Sequence, residues 1–182
     1  MKIKKTNLDG CFIVENKILR DSRGFFTEIY HKEKFDEIIG FPVNFVQDNF
    51  SFSTKGVLRG LHFQKKFPQG KLVRVLKGKV FDVVVDIRKN SETFGSHFCL
   101  ELNDKNHLQL WIPKGFAHGF LTLSDTAYFE YKCTDYYYKE DEDTINCKDP
   151  DLDIPWPSNI NTIISQKDED AKSFKNFINS LK

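Results

Sequence analysis

The chain has 182 residues, and its 27 lysine and arginine residues nearly balance 26 aspartate and glutamate residues, which leaves a formal net charge of +1. A chain without a basic excess lacks the electrostatic footprint of a nucleic-acid-binding protein, so we expect no nucleic-acid partner. This length suits one domain with a substantial core, and we predict a single domain over residues 1–182.

Cysteine usage and hydropathy indicate the compartment. The first ten residues, MKIKKTNLDG, contain no apolar run of the kind that a secretory signal has. No segment approaches the roughly 20 apolar residues that a membrane-spanning helix needs. We therefore expect a cytoplasmic protein with free thiols and no membrane contact. The cysteines are far apart and form no CxxC pair, which argues against a disulfide framework or a zinc site: Cys11, Cys99, Cys133 and Cys147.

Short apolar runs separated by turn residues predict a mainly β fold. The clearest run is 80–87, in which large apolar residues alternate with Val80, Asp82, Val84 and Asp86. Regular spacing of such runs is typical of a sandwich or a barrel. In chain order, strands are predicted over residues 11–15, 24–30, 43–52, 57–64, 72–76, 80–87, 96–102, 109–112, 117–123 and 127–133.

Two short helices are predicted beside the strands. The first covers residues 31–39 and ends at Gly40, a residue that readily adopts the left-handed conformation of a helix end. The second covers residues 167–181, where apolar residues recur at helical spacing. Ser165 is its predicted N-cap, followed three residues later by Asp168.

A histidine in the run 59–64 (RGLHFQ) is the first candidate for chemistry. Because alternate residues of a strand share a face, Arg59 and Leu61 should point away from His62. If His62 faces a barrel interior, its imidazole could act as a base; an ordinary core or surface histidine is the alternative. Such a base needs a partner on its second ring nitrogen, and Asp168 is a candidate. A carboxylate in a first helical turn also complements the helix dipole without any catalytic role.

Two more groups suit proton transfer. Lys71 opens a strand after a turn, where its ammonium could stabilise an enolate or a phosphate; a solvated lysine is the alternative. Tyr131 could donate a proton to carbon, although it shares a strand face with Phe129 and could simply be core.

The histidines do not have the spacing of metal ligands. A barrel metal site with a His-x-His pair, a glutamate and a later histidine would need a second histidine beside His62, which the sequence lacks. His118 alone cannot complete such a site, so we predict no metal.

No glycine-rich phosphate loop is present, and a bound nucleotide would have to be held by side chains on strands. Arg23 and Arg59 could bind a diphosphate in two-pronged fashion. Phe26 and Tyr137 could stack on a base, with ordinary sheet packing as the alternative.

Six segments, taken together and in order, resemble the dTDP-4-dehydrorhamnose 3,5-epimerase family over about residues 10–168. The resemblance implies a cupin-type (jelly-roll) β-barrel that works without metal or other cofactor, usually as a homodimer. It implies that strands at about residues 10–30 pack on the neighbouring subunit. The segments are residues 23–28, 45–49, 57–64, 69–74, 80–88 and 110–120.

The same resemblance implies epimerisation of dTDP-4-dehydro-6-deoxy-D-glucose at C3 and C5, giving dTDP-4-dehydro-L-rhamnose through an enolate. It makes His62 the general base paired with Asp168, Tyr131 the acid on the opposite face, and Lys71 a neighbour of the substrate oxygen. Asp82 could orient His118. The nucleotide-sugar contacts that it implies are Arg23, Phe26, Glu28, Gln47, Asp48, Asn49, Arg59, His118, Tyr137, Glu142 and Lys167.

Two stretches depart from the family pattern, namely Phe50 and residues 146–148 (NCK). They leave the outer pocket and the identity of the sugar open. One alternative is therefore an epimerase of C3 alone, of C5 alone, or of another nucleotide-linked 4-keto sugar. A second is a barrel that binds a nucleotide sugar without turnover.

Overall fold

The structure is a computed structural model that describes residues 1–181; the predicted domain extends to Lys182, which lies outside the described residues. Within them the chain forms thirteen strands and three helices. In chain order these are β1 (Lys2–Lys5), β2 (Phe12–Glu15), β3 (Ile18–Asp21), β4 (Gly24–Thr27), α1 (Lys32–Ile39), β5 (Gln47–Thr54), β6 (Leu58–Gln64), β7 (Lys71–Lys77), β8 (Lys79–Asp86), β9 (His97–Asn103), β10 (Gln109–Ile112), β11 (Phe116–Thr122), β12 (Thr126–Cys133), β13 (Glu142–Thr144), α2 (Gln166–Glu169) and α3 (Phe174–Ser180).

The strands pair antiparallel in two large sheets. One sheet has the order β1-β2-β10-β7-β12-β5 and the other β13-β6-β11-β8-β9, while β3 and β4 form a separate hairpin. The prediction of a mainly β, jelly-roll fold is confirmed. Within residues 1–181 the two sheets share no strand pairing, so hydrogen bonds do not close the barrel all the way round.

The main core lies between the two sheets. Val73 and Phe129 from the six-stranded sheet pack with Val84 and Phe120 from the five-stranded sheet, and all four are buried. Their strands alternate inward and outward side chains, so every second residue enters this core. Burial of one such large side chain contributes about 2–3 kcal/mol.

The outer faces of the sheets are covered unequally. The C-terminal segment packs Phe174 and Phe177 on the outer face of the five-stranded sheet, against residues such as Leu61. Helix α1 covers part of the six-stranded sheet through Phe35. As predicted, α1 ends at Gly40, whose φ is 91°. No helix within residues 1–181 combines the length and apolarity needed to cross a membrane.

The predicted C-terminal helix is confirmed as α3, but the prediction of one continuous helix over residues 167–181 is wrong, because α2 and α3 are separate. Between them the carbonyl of Lys172 accepts a hydrogen bond from the Asn146 amide at 2.9 Å, which draws this segment into an extended bridge. Ser173 then caps a new helix by accepting from the Asn176 amide at 3.2 Å. The apolar spacing predicted the buried face correctly but could not reveal this tertiary bridge.

The strand prediction missed β1, β3 and β13, and it made β4 too long. All three missed strands have four residues or fewer and are rich in charged or polar side chains. Such short strands carry no periodic apolar signal.

The prediction that Arg59 shares the face of Leu61 is also wrong. Four residues of β6, from Arg59 to His62, lie opposite three residues of β11, from His118 to Phe120, which is a β-bulge. The bulge turns Arg59 to the same side as His62. Gly60 permits it: its φ is 114°, and an added Cβ would lie 2.6 Å from the Gly119 Cα.

A buried carboxylate anchors the connection after β8. Asp86 accepts hydrogen bonds from Arg88 Nη2 at 2.6 Å, Ser91 Oγ at 2.5 Å and Thr93 Oγ1 at 2.6 Å. Burial alone would raise the pKa of Asp86, but these donors outweigh it and lower the pKa to about 2.

Asp86→Asn is expected to lower the free energy of unfolding by about 2 kcal/mol at pH 7. Because the folded pKa is depressed, this stabilisation is present above the unfolded value near 4 and disappears as the pH falls through about 2. Urea unfolding of wild type and variant at pH 7 and pH 2.5 measures the difference in their free energies of unfolding. The gap between variant and wild type should shrink at the lower pH, whereas an equal gap at both would contradict the pKa. Asp9→Asn, an exposed neighbour of the same arginine, is the control.

Candidate active site

Inward-facing polar side chains from both sheets gather in one part of the barrel. Lys71 Nζ lies 5.9 Å from the centroid of the Tyr131 ring, and His62 lies between His118 on β11 and Thr144 on β13 in the strand register. Strands far apart in sequence therefore bring their groups into one cluster. Its members are His62 on β6, Lys71 on β7, Asp82 on β8, His118 on β11, Tyr131 on β12 and Glu142 on β13.

His62 and Asp168 form a hydrogen-bonded pair. The His62 Nε2 lies 2.6 Å from Asp168 Oδ1, and the Asp168 side chain is 4 % exposed against 29 % for His62. Burial alone would raise the pKa of the Asp168 carboxyl, but the hydrogen bond and charge of His62 bring it below its ordinary value. The carboxylate thus stays ionised and holds the ring by one nitrogen, which leaves Nδ1 for chemistry.

Local structure fixes that carboxylate. Ser165 caps α2 by accepting from the Asp168 amide at 3.3 Å, as the sequence predicted. The Gly60 amide lies 3.4 Å from Asp168 Oδ2. The bulge in β6 therefore lies beside both members of the pair. It presents the Gly60 amide to Asp168, and it comes directly before His62 in the strand.

Tyr131 stands on the sheet that faces His62. Burial raises the pKa of its phenol to about 12, and Cys133 and Glu142 act in the same direction. Asn49, opposite Tyr131 on β5, and Arg59 oppose the shift only in part. The phenol is therefore protonated at neutral pH and able to donate a proton.

Lys71 supplies a cation near this phenol. Its Nζ lies 5.9 Å from the centroid of the Tyr131 ring, and no carboxylate within residues 1–181 approaches it closely enough for an ion pair. Burial lowers the pKa of the Lys71 ammonium, while Cys133 and Glu142 oppose that change. A cation without an anionic partner is free to stabilise negative charge on a ligand.

His118 belongs to a second histidine–aspartate pair. Its Nε2 lies 2.9 Å from Asp82 Oδ2, and both residues are buried. The contact between Asp82 and His118 that the sequence analysis suggested is therefore present. His118 lies directly across from His62 in the β11–β6 register. Within residues 1–181, no three His, Cys, Asp or Glu side chains are grouped so as to hold a metal ion.

Glu142 connects the cluster to the loop before β13. Its Oε2 accepts from the Tyr137 hydroxyl at 2.9 Å and forms an ion pair with Lys167. Burial raises the pKa of Glu142, but these two partners lower it by more. The structure thus brings together three of the predicted substrate contacts.

Arg59, Gln47 and Asn49 also face the interior. Arg59 donates from Nε to Ser53 Oγ at 3.2 Å, and Gln47 donates from Nε2 to Asn49 Oδ1 at 2.9 Å. The sequence analysis missed Ser53, because a serine in a strand gives no signal of its partner. Asp48 points outward instead and pairs with Lys132 at 3.0 Å.

Three predicted contacts lie away from the cluster of their own chain. Arg23 pairs with Asp21 on the β3–β4 hairpin, and Glu28 pairs with Lys34. Phe26 on the same hairpin is 69 % exposed. Within residues 1–181 none of the three forms a hydrogen bond or ion pair with the cluster.

The sequence departures lie outside the cluster. Cys147 is buried in the core of the C-terminal segment, and its carbonyl accepts from Trp156 Nε1 at 2.6 Å. Burial raises the pKa of its thiol to about 11, and the charge of Asp168 adds to the effect. Phe50 is on the outward face of β5, with its ring 5.7 Å from Tyr128.

A histidine held by a buried carboxylate, a protonated phenol on the facing sheet and an unpaired lysine form the kind of site that acid–base enzymes have. The sequence model of the dTDP-4-dehydrorhamnose 3,5-epimerases matches residues 5–176. The chain belongs to this family, and it is an isomerase.

Relatives agree with this assignment. The chain is 50 % identical over 173 residues to a dTDP-4-dehydrorhamnose 3,5-epimerase of Methanothermobacter thermautotrophicus, covering 94 % of this chain and 93 % of that one. The crystal structure of a Legionella pneumophila dTDP-6-deoxy-D-glucose-3,5-epimerase in complex with dTDP-4-keto-L-rhamnose is 52 % identical with a TM-score of 0.92, covering 94 % and 92 % of the two chains. A more distant relative, a dTDP-4-dehydrorhamnose 3-epimerase of Streptomyces niveus, is 36 % identical over 172 residues, covering 94 % and 83 %.

Proposed function

We propose that this protein inverts C3 and C5 of dTDP-4-dehydro-6-deoxy-D-glucose and produces dTDP-4-dehydro-L-rhamnose. The observation that carries the proposal is the position of His62 and Tyr131 on facing sheets, which suits removal of a proton from one face of a sugar and delivery to the other. The epimerase of Legionella pneumophila, bound to dTDP-4-keto-L-rhamnose, supports this choice of sugar.

His62 performs the first step as the general base. The C4 ketone acidifies the hydrogens on C3 and C5, and Nδ1 of His62 accepts one of them. The ionised Asp168, 2.6 Å from Nε2, stabilises the imidazolium that forms. No cofactor enters this step, because the substrate's own ketone takes up the electron pair.

Lys71 stabilises the enolate that results. The electron pair moves onto the C4 oxygen, and the Lys71 ammonium, which has no carboxylate partner, offers this oxygen positive charge. Tyr131 then delivers its proton to carbon from the opposite face, which inverts the centre. Before the second carbon reacts, His62 releases the proton that it took to solvent and the phenol recovers a proton from solvent, so both groups return to their starting states.

Lys71→Met is expected to lower kcat about 100-fold, since it removes charge stabilisation that matters most in the transition state. Steady-state kinetics on the 4-keto sugar measures it. Lys77→Met, at the exposed end of the same strand, is the matched control and should keep wild-type activity. A tenfold rise in KM with an unchanged kcat would instead assign Lys71 to ground-state binding.

The remaining inward-facing groups hold the nucleotide portion of the substrate. Arg59 suits the diphosphate, because guanidinium matches phosphate oxygens in two-pronged fashion. Tyr137 suits the base. We assign the other contacts to the same ligand, with Asp48 reaching it only at the rim: Gln47, Asp48, Asn49, His118, Glu142 and Lys167.

A second copy of the chain completes the site. Arg23 and Phe26 on the β3–β4 hairpin and Glu28 just after it are all exposed, and the outward face of β5 exposes Phe50 and Phe52. Exposed apolar area of this kind fits a homodimer in which residues 10–30 reach the neighbouring pocket. Sedimentation equilibrium should give twice the chain mass; an active monomer would contradict the proposal.

We also propose that residues 1–182 form one epimerase domain that works in the cytoplasm. The four cysteines are free thiols, three of them buried, as a reducing compartment would keep them. Fractionation of cells that express the protein would test this, and recovery from the medium would contradict it.

An epimerase of C3 alone is the second candidate, favoured by the similarity to the Streptomyces niveus 3-epimerase. Proton NMR of dTDP-4-dehydro-6-deoxy-D-glucose with the enzyme in D2O, with EDTA present, separates the possibilities. Loss of both the C3 and C5 proton signals supports the double epimerase. Loss of one signal identifies a single-site enzyme, and no loss at either carbon leaves another 4-keto sugar or a non-catalytic barrel.

A further inference from the structure

Gln64 ties together two loops at the mouth of the barrel. It is 6 % exposed and lies at the end of β6, two residues after His62. Its Nε2 donates to the carbonyl of Phe67 at 2.7 Å and to that of Tyr136 at 3.1 Å. Its Oε1 accepts from the Tyr138 amide at 2.7 Å. One buried amide thus satisfies three backbone groups of two loops.

The residue between the two bonded positions is Tyr137. Its own amide donates to Gln47 Oε1 at 2.9 Å, and its hydroxyl donates to Glu142 Oε2 at 2.9 Å. The backbone on both sides of Tyr137, its amide and its phenol are therefore all held, although 49 % of the residue is exposed. A half-exposed ring held through its amide and its hydroxyl is preorganised to receive a flat ligand, because little side-chain freedom remains to be lost on binding.

The facing loop is fixed to the same place. Asp141 accepts from the amides of Lys66 at 2.9 Å and Phe67 at 2.8 Å, and the Phe67 ring lies 4.6 Å from that of Tyr138. Asp141 therefore joins the two loops at the far end, whereas Gln64 bonds to the backbone on both sides of Tyr137, so loss of Gln64 would release the backbone beside Tyr137 and leave the Asp141 contacts in place.

We propose that Gln64 is a positioning residue that holds Tyr137 as a preformed platform for the nucleobase. The inference rests on the proposed function, in which a nucleotide sugar is the ligand. It assigns to Gln64 a share of base recognition and none of the proton transfer. His62 keeps its geometry without Gln64 because Asp168, on α2, holds its ring.

Gln64→Met tests the proposal, since methionine fills a similar volume but bonds to none of the three backbone groups. Binding of dTDP and of inorganic pyrophosphate is measured by calorimetry, with steady-state kinetics on the 4-keto sugar. The dissociation constant for dTDP and KM should rise about 30-fold. Pyrophosphate affinity should stay within twofold and kcat within threefold, because neither the diphosphate contacts nor the His62 pair involves Gln64.

Gln69→Met is the matched control, because Gln69 makes one bond to the same loop, from Nε2 to the Asp135 carbonyl at 2.9 Å, and none beside Tyr137. It should bind dTDP like the wild type. If Gln64→Met does not fold, Gln64→Glu keeps the acceptor for the Tyr138 amide and should weaken dTDP about tenfold.

Three results would overturn the assignment: unchanged dTDP affinity, an equal loss for dTDP and pyrophosphate, or a fall in kcat alone. A wild-type protein that binds no dTDP and exchanges no substrate proton would remove the proposed function and this inference with it. An active wild type beside an unaffected variant would remove only the role of Gln64.

Discussion

Replacing His62 with asparagine is expected to lower kcat about 10³-fold, while the dTDP dissociation constant changes less than threefold. Asparagine cannot accept and pass on a proton, yet its amide can still bond to the buried Asp168, so the carboxylate is not left without a partner. The measurement is the rate of C3 and C5 proton loss in D2O, with calorimetry for dTDP. Both exchange and epimerisation should fall together, because the base acts before either outcome is decided.

His97→Asn is the control for this variant, since His97 lies on β9 away from the cluster. Its activity should equal that of the wild type. Asp168→Asn should lower kcat by roughly 10² to 10⁴-fold, because the imidazolium loses its counter-charge. If His62→Asn retained activity within a few-fold of wild type, His62 would not be the base.

Replacing Tyr131 with phenylalanine is expected to separate exchange from inversion. Epimerised product should form about 10³-fold more slowly, because no acid remains on the face opposite His62. His62 can still remove a proton and return one from solvent to the same face, so deuterium should enter the recovered substrate without inversion. Proton NMR in D2O gives both rates from one time course.

Tyr128→Phe is the matched control, because Tyr128 lies on the same strand but on its outward face, beside Phe52. It should epimerise at the wild-type rate. Loss of exchange and inversion to the same extent in Tyr131→Phe would contradict the assignment of an acid that acts after the base.

Local periodicity predicted the parts of the fold that depend on local burial. Residues 80–87 alternate cleanly, and β8 sends alternate side chains to the two core clusters as expected. The C-terminal helix is present as α3, but its predicted start was wrong because a bridge from Lys172 to Ile145, 27 residues earlier in the chain, replaced a helical turn. The predicted orientation of Arg59 was wrong because the extra residue of the bulge shifts the register of β6, so that the residues before it face the opposite side of the sheet from the one expected.

Local sequence patterns predicted less of the candidate site than of the fold. The pairing of His62 with Asp168 spans 106 residues, so no local pattern could reveal it, and the resemblance to a family supplied it. The sequence analysis missed the role of Gln64 in bonding two loops, even though it singled out the run 59–64 that contains this residue. A glutamine in a strand has no spacing that tells which backbone groups it will meet. Arg23 and Phe26 lie away from the cluster of their own chain, and only the proposed homodimer would bring them to a site.

The central claim is that two different groups handle the proton, His62 on one face of the sugar and Tyr131 on the other. The most direct test is a single-turnover reaction of wild-type enzyme in D2O, with deuterium counted at C3 and C5 of the product and of the unreacted substrate. A two-group mechanism predicts product with solvent deuterium at each inverted carbon and early substrate that is still largely unlabelled. Product that keeps its original protium at those carbons would mean that one group carries the proton across, and would contradict the mechanism.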